Sequence, residues 1–243
     1  MKVYTGTSGY GYKEWKGKFY PEKLAAGKML AFYAGKLPAV EINNTFYRMP
    51  QYSVLEAWAE QVPREFSFAV KAPQVITHIK RLHKVREETR FLMTSLKGLG
   101  AKLGAVLFQF PASFHQDLPR LEEFLGLIPR KIPCAFDFRS ASWLNQETAA
   151  LLKERGFCLC LEDTDEKPAG EPIPAAPWGY LRLRREAYTA ADLERWAEMI
   201  RGQNWEKAFV FFKHDNDTAA KAPALAASFA GLAGRSVSAG RAG

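Results

Sequence analysis

Short apolar segments rich in Val, Phe, Tyr and Leu recur along the chain and are typical of β-strands. Between most of them lie amphipathic stretches of helical period. The predicted strands are residues 2–7, 39–43, 66–72, 103–110, 133–138, 157–163, 178–184 and 207–213. The predicted helices are residues 52–61, 85–101, 118–127, 145–155, 190–201 and 218–232. Because strand and helix alternate, the pattern predicts a parallel sheet.

Local start and stop signals agree with this phasing at two helices. Asn145 and Thr189 are predicted N-caps, the latter with Asp192, and Gly156 is a predicted C-terminal glycine. The segment 167–177 holds four prolines. It cannot carry a regular helix, so it predicts a loop that replaces all or part of the sixth helix.

Eight strands with intervening helices favour a single (β/α)8 TIM-type barrel over an open doubly wound sheet. The segment TSGYGY at 7–12 lacks the full dinucleotide-binding spacing, and Trp15 and Phe19 would crowd a pyrophosphate. We therefore predict one barrel domain over residues 1–230. Residues 231–243 are small and polar, and they are predicted to form a flexible tail.

The composition indicates the location, the cysteine state and the charge expected for this barrel. The chain shows no leader pattern and no apolar run of membrane length, so a cytoplasmic protein without a membrane partner is expected. Cys134, Cys158 and Cys160 fall in predicted strands and are expected to be reduced and buried. The net charge is +8, and seven Lys or Arg residues against two Glu concentrate in residues 78–102. That stretch could attract nucleic acid or form a solvated helix face.

Polar residues follow or end most of the predicted strands. In VEINNTFYRMP at 40–50, Glu41 and Asn43 share one face of the second strand. In a barrel, polar side chains near the carboxyl ends of strands point into the mouth. By the same reasoning the other strand ends contribute Lys71, Gln109, Asp137, Arg139, Asp163, Arg182, Arg184, Lys213, His214, Asp215 and Asn216.

This set predicts an anion site. Arg139, Arg182 and Arg184 offer planar donors suited to phosphate or carboxylate, with Lys71 as a mobile charge. Glu41 and Asp137 could serve as general base and acid, or could hold the arginines in place. A fully paired interior salt-bridge network is the structural alternative. The predicted catalytic residues are Glu41, Asp137, Arg139 and Arg182.

Further residues complete the predicted substrate site. Tyr10, Trp15, Tyr47 and Trp143 could stack on a planar ligand at the rim, or could pack the loops onto the barrel. Ser8 with Gly9 is predicted to form a tight loop that brings backbone amides to the pocket. The remaining predicted substrate-binding residues are Asn43, Lys71, His78, Gln109, Asp163, Arg184 and Asn216.

A divalent metal site is the other chemistry that these residue types support. Glu41, His78, Asp137, Asp163, His214 and Asp215 could gather ligands at the strand ends. The chain has four histidines, and His83 and His115 lie in charged or loop surroundings. The cofactor therefore stays open, with no metal ligand assigned.

Several motifs together resemble the YecE-like proteins, known as domain of unknown function 72. They are GTSGYGYKEWKGKFYP at 6–21, VEINNTFYRMP at 40–50, FSFAVKAP at 66–73 with ITH at 76–78, LFQFPASF at 107–114, DFRSASW at 137–143 and LEDTD at 161–165. The resemblance covers about residues 3–230. It implies a TIM-type barrel similar to the sugar-isomerase and apurinic-endonuclease barrels, and it supplies no established reaction.

Two departures from the family pattern bear on the chemistry. Asp137 stands where members commonly carry Glu before Phe-Arg. Arg182 is followed by Leu183, Arg184 and Arg185, where members often show Arg-x-His-Gly. The missing histidine favours anion binding over acid-base or metal chemistry at this loop. Asn216 and the alanine-rich last helix follow the family.

The sequence therefore predicts an enzyme acting on a phosphorylated or other anionic substrate, such as a nucleotide, sugar phosphate or nucleic-acid fragment. A non-catalytic protein that binds nucleic acid through residues 78–102, or another ligand, is the alternative. A third hypothesis is an inert barrel whose pocket charges are fully paired with one another.

Overall fold

All strands in the described residues pair in parallel in one sheet. The computed structural model describes residues 1–213 and 219–234. In the described residues the sheet has nine strands, in the order β6-β5-β4-β3-β2-β1-β9-β8-β7. They are β1 (Lys2–Ser8), β2 (Ala39–Ile42), β3 (Ser67–Lys71), β4 (Leu103–Phe110), β5 (Cys134–Phe138), β6 (Cys158–Leu159), β7 (Leu161–Asp163), β8 (Trp178–Leu183) and β9 (Lys207–Phe212).

The two edges of this sheet are halves of one barrel strand. β6 pairs with β5, and β7 pairs with β8. Between the halves, the Cys160 amide donates to the Phe136 carbonyl at 2.8 Å. Because β6 and β7 are separated by this single residue, the sheet closes on itself at the sixth of eight positions. The predicted (β/α)8 barrel is confirmed.

Seven α-helices surround the barrel in the part of the chain that the structure describes. Helix α1 was not predicted, because its apolar run is only six residues long. The Asn145 side chain accepts from the Thr148 amide, and Thr189 with Asp192 forms a capping box, as predicted. The helices are α1 (Met29–Ala34), α2 (Tyr52–Glu60), α3 (Arg86–Leu96), α4 (Leu118–Leu125), α5 (Gln146–Lys153), α6 (Ala190–Arg201) and α7 (Lys221–Ala233).

The connection from β7 to β8 carries no helix, and all of its residues, 164–177, belong to the described part of the chain. This is the connection that the proline-rich segment predicts to be a loop. Helix α7 continues to Ala233, three residues past the predicted domain boundary at 230. Residues 235–243 of the predicted tail lie outside the described residues.

Side-chain volume is distributed unevenly inside the barrel. The small residues Ala39, Ala69, Ala105 and Ala135 line the interior on β2 to β5, while large rings fill it from β8 and β9. Gly104 belongs to this packing, because a Cβ there would lie 2.1 Å from Ser67 Oγ and 2.7 Å from the Phe209 ring. The dense filling makes the lower barrel interior a core, so space for a ligand inside the barrel is expected toward the mouth.

A second, larger core lies between the outer face of the sheet and the helices. Strand residues therefore alternate between two apolar environments, as expected for a parallel sheet that is buried on both faces. The three cysteines are buried and free, as predicted. In the described residues no helix is long and apolar enough to cross a bilayer.

Candidate active site at the barrel mouth

Arg182 lies at the centre of the polar layer that closes the top of the barrel interior. Its Nε donates to Glu41 Oε2 and its Nη2 to Glu41 Oε1, each at 3.1 Å. Its Nη1 donates to Asp137 Oδ2 at 2.9 Å and to Glu162 Oε1 at 3.1 Å. Arg182 is therefore paired with carboxylates from three other barrel strands.

This pairing leaves Arg182 little capacity to bind a ligand. The residue is 1 % exposed, and four of its hydrogen bonds go to carboxylates. Burial alone lowers the pKa of Arg182, but the charges of Glu41, Asp137 and Glu162 outweigh burial and hold the pKa well above its ordinary value. The arrangement corrects the predicted role of Arg182, which positions carboxylates and does not offer a free donor fork to substrate.

Glu41 is equally engaged. Beyond the two bonds from Arg182, it accepts from Ser8 Oγ at 2.7 Å, Tyr180 OH at 2.7 Å and Asn43 Nδ2 at 3.1 Å. Burial raises the pKa of Glu41, but the Arg182 charge and the hydrogen bonds outweigh burial and lower it to about 2. A carboxylate with so low a pKa is a weak base at neutral pH, so this environment does not favour the proton transfer predicted for Glu41.

Lys71, Gln109 and Asp137 form a chain across three neighbouring strands. Lys71 Nζ donates to Gln109 Oε1 at 2.6 Å, and Gln109 Nε2 donates to Asp137 Oδ2 at 2.7 Å. Asp137 Oδ2 also accepts from Arg182, whereas Oδ1 has no hydrogen-bond partner among the described residues. Of the two predicted acid-base residues, Asp137 is thus the one with an oxygen that accepts no hydrogen bond from the described residues.

The ammonium group of Lys71 lies in an unusual environment for a cation. It lies 4.3 Å from the centroid of the Phe46 ring, and within the described chain it makes no ion pair. Burial and the nearby charge of Arg182 lower the pKa of Lys71 to about 8. A positive charge held without a carboxylate partner is suited to pair with an anionic ligand.

A cavity of about 660 Å³ opens beside this network, between the ends of β5 to β7 and the proline-rich loop. Asp137, Arg139, Glu162 and Arg184 line it, together with residues 164–173 of the loop. Arg139 is exposed, and its side chain makes no hydrogen bond or ion pair to the described residues. Arg184 Nη1 donates to Glu162 Oε1 at 3.1 Å. The cavity therefore joins an unpaired cation to the open oxygen of Asp137.

Comparison with known proteins gives the family of this barrel. Residues 4–241 match the family described as "Protein of unknown function DUF72". The chain belongs to the DUF72 family. The UPF0759 protein YunF of Bacillus subtilis is 27% identical over 232 residues, covering 88% of this chain and 79% of YunF. YecE of Escherichia coli is 31% identical over 169 residues, covering 67% of this chain and 61% of YecE.

Solved DUF72 structures show the same fold. A DUF72 protein of Thermotoga maritima, TM1631, has a TM-score of 0.81 at 25% identity, covering 96% of this chain and 99% of that one. EF0366 of Enterococcus faecalis has a TM-score of 0.75 at 20% identity, covering 95% and 98%. The family membership and barrel that the motifs imply are both confirmed.

One carboxylate of this DUF72 barrel was missed and another was misplaced. Glu162 points into the mouth with Cys158 and Cys160, whereas Asp163 is turned outward and fully buried. Asp163 accepts from Arg185 Nη2 at 3.0 Å, the Tyr188 hydroxyl at 2.9 Å and the Ala169 amide at 2.9 Å. Asp163 therefore anchors the proline-rich loop, which corrects its predicted role in the pocket. Alternation counted from Cys158 would have selected Glu162.

The four predicted rim aromatics occupy different environments. Trp143 is fully buried, stacks on Phe138 at 4.4 Å and donates from Nε1 to the Phe114 carbonyl. Trp15 is 2 % exposed among Phe19 and Tyr20. These two tryptophans pack loops onto the barrel and have no free face for a ligand. Tyr10 is half-buried, and Tyr47 is 76 % exposed.

His78 lies close to the Lys71 ammonium. Its ring meets the Phe46 ring edge to face at 4.8 Å, and Nδ1 lies 2.9 Å from Thr77 Oγ1. Burial and the charges of Lys71 and Arg139 lower the pKa of His78. At neutral pH the imidazole is therefore an uncharged donor or acceptor at the edge of the site.

The basic stretch 78–102 is partly paired within the fold. Lys80 pairs with Glu88, and Arg90 pairs with Glu87. Lys102 Nζ donates to the carbonyls of Ala59 and Val62, at the end of α2. These contacts reduce the charge available to a polyanion, although Arg81, Lys84, Arg86 and Lys97 are exposed.

In residues 1–213 and 219–234, no group of three or more His, Cys, Asp or Glu side chains is arranged to hold a metal ion. Three residues of the predicted site, His214, Asp215 and Asn216, lie outside the described residues.

Proposed function

We propose that the protein is an enzyme that acts on an anionic substrate, phosphate- or carboxylate-bearing, at the carboxyl end of its barrel. Lys71, Arg139 and Arg184 bind the negative charge, and Asp137 transfers a proton. Arg182 and Glu41 hold Asp137 and the neighbouring side chains in position.

One observation carries this proposal: two cations without carboxylate partners in the described chain, Lys71 and Arg139, lie near Asp137, which keeps one oxygen without a hydrogen-bond partner among the described residues. Arg139 lines the same cavity as Asp137, and Lys71 is joined to Asp137 through Gln109. Lys71 is half-buried, and its charge attracts an anion more strongly there than it would in bulk water. Asp137 lines the cavity, where it can exchange a proton with a bound substrate.

Calorimetric titration with inorganic phosphate and with sugar phosphates tests the anion site. We expect Arg139→Gln to weaken binding of the tightest ligand by at least about tenfold, a loss typical of a charged hydrogen bond. Arg90→Gln is the matched control, because Arg90 is exposed and paired with Glu87 on α3. Equal affinity of Arg139→Gln, Arg90→Gln and unmodified protein would overturn the proposal.

Catalysis requires a separate measurement, since binding alone does not establish it. With any phosphorylated ligand that is turned over, Asp137→Asn should abolish product formation while the dissociation constant changes less than about threefold. Turnover that survives this substitution excludes Asp137 as the proton-transfer group.

Single-stranded nucleic-acid binding is a second candidate, and the exposed ring of Tyr47 favours it. Tyr47 contacts Phe46, which contacts His78 at the start of the basic stretch. An exposed ring beside cations is a stacking platform for bases. Tyr47→Ala should weaken binding of a fluorescent oligonucleotide, whereas Tyr52→Ala, an exposed tyrosine on α2, should not. Affinity independent of salt would contradict this function.

A further inference from the structure

We propose that Lys71 is a nucleophile that forms an imine with the carbonyl carbon of an aldehyde or ketone substrate. The inference rests on the proposed function, because the anionic group of that substrate would be held by Arg139 and Arg184. It names the reactive class of the substrate as an anionic carbonyl compound.

The contacts of Lys71 are those of an amine kept available for chemistry. Its one hydrogen-bond acceptor in the described chain is the neutral amide oxygen of Gln109. An amide oxygen can accept from an ammonium or from a neutral amine, so the contact survives loss of the proton. A carboxylate partner would instead have favoured the charged form.

The position of Lys71 is also fixed for attack. The residue ends β3, and its carbonyl accepts from the buried Thr45 hydroxyl at 2.7 Å. The Phe46 ring covers the ammonium at 4.3 Å, while Gln109 holds it from the neighbouring strand. These contacts restrict the side chain, as effective nucleophilic catalysis requires.

Burial of the Lys71 side chain favours the reactive neutral amine. Burial and Arg182 lower the Lys71 pKa to about 8 from its ordinary 10.5. Roughly a tenth of the Lys71 side chains would then be neutral at pH 7, against about one in 3,000 for an ordinary lysine.

The step balances without an oxidant or reductant. The Nζ lone pair forms a bond to the carbonyl carbon, and the carbonyl π pair moves to oxygen, which gains a proton as nitrogen loses one. The carbinolamine then takes up a second proton at oxygen and expels water, leaving a protonated C=N bond. Asp137 lies one hydrogen-bonded residue away through Gln109, and its carboxylate can carry the first proton from nitrogen to oxygen, while the second proton comes from water.

Reductive trapping tests this inference. The protein is incubated with glycolaldehyde phosphate and cyanoborohydride at pH 7, and the modified lysines are quantified by peptide mass spectrometry. We expect Lys71 to be labelled at least tenfold faster than Lys36. Lys36 is the matched control, because it also lies over a phenylalanine ring, at 5.8 Å from Phe32, but is exposed.

The pH dependence of the labelling rate distinguishes a lowered lysine pKa from simple accessibility. The labelling rate of Lys71 should level off above about pH 8, whereas the rate for a lysine of ordinary pKa would keep rising toward pH 10. Lys71→Arg removes the nucleophilic amine and should lose the adduct at this position.

Unphosphorylated glycolaldehyde separates failure of the imine from failure of the anion site. Faster labelling of Lys71 by the phosphorylated aldehyde supports both. Equal labelling by the two aldehydes, still selective for Lys71, supports the imine and overturns the anion site. If calorimetry shows that the phosphorylated aldehyde binds, but the aldehyde labels Lys71 no faster than Lys36, the imine is overturned and the anion site is not.

Discussion

Arg182 and Glu41 form a two-point ion pair across the barrel interior, with both guanidinium-to-carboxylate contacts at 3.1 Å. Their strands, β8 and β2, are separated in the sheet by β1 and β9. The pair is almost completely buried, with side-chain exposures of 2 % and 0 %. It therefore ties opposite walls of the mouth together and sets the framework that supports Asp137.

Replacing Arg182 by Met should destabilise the fold by about 3–5 kcal/mol, because the change leaves buried carboxylates without a cation. Urea unfolding measures this free energy. Arg90→Met removes the exposed pair with Glu87 and should change stability by less than about 1 kcal/mol. Similar effects of the two substitutions would contradict a structural role for Arg182.

Acid should weaken the fold through Glu41. The folded-state pKa of about 2 lies below the ordinary value of 4.5, so the carboxylate stabilises the fold above pH 4.5. This stabilisation is lost as the pH falls from about 4.5 to about 2, and it amounts to roughly 3 kcal/mol. Unfolding free energies measured across this range should fall steeply for the unmodified protein and less steeply for Glu41→Gln. Parallel curves would show that Glu41 is not the group responsible.

Lys71 should give a dependence of the same sign, but at alkaline pH. Its folded-state pKa of about 8 lies below the ordinary 10.5, so between these values the unfolded chain holds a proton that the folded chain has lost. Stability contributed by Lys71 therefore rises with pH across this window.

The comparison with Lys71→Met isolates this contribution. Between pH 8 and pH 10.5 the unmodified protein should gain up to about 3 kcal/mol relative to the variant. Unfolding free energies at several pH values provide the measurement. A constant difference would mean that the Lys71 pKa is ordinary.

Lys102 provides a test of the basic stretch. Because its ammonium donates to Ala59 and Val62 carbonyls, Lys102→Met should cost about 1–3 kcal/mol in unfolding free energy. The oligonucleotide affinity of Lys102→Met should stay unchanged. The control is Lys84→Met, which should leave the unfolding free energy unchanged because Lys84 is exposed. Loss of affinity in a fully folded Lys102→Met protein would show that this lysine binds the polyanion.

Alternation along β2, β5 and β8 was enough to place Glu41, Asp137 and Arg182 in the mouth. It failed at the sixth strand, where Glu162 and Asp163 are adjacent acids. Both faces of that strand are apolar, with Phe157, Leu159 and Leu161 on one and two cysteines on the other. The pattern therefore did not show which face turns inward.

The predicted rim aromatics differ in burial, and residue type alone did not predict which of them are exposed. Trp15 and Trp143 precede or follow strand ends just as Tyr47 does, yet the two tryptophans are core and Tyr47 is exposed. Their environments depend on loop packing between segments distant in the chain, such as the contact of Trp143 with Phe114. Such contacts leave no periodic signal in the sequence.

The sequence alone determined the barrel, its family and the strands that carry charge, because strand and helix periods and strand-end polarity are local properties. Only the tertiary structure decided which charges neutralise one another. Arg182 is ion-paired with three carboxylates, whereas Lys71 and Arg139 are paired with no carboxylate in the described chain. Pairing depends on distances between side chains from different strands, and those distances exist only once the barrel has closed.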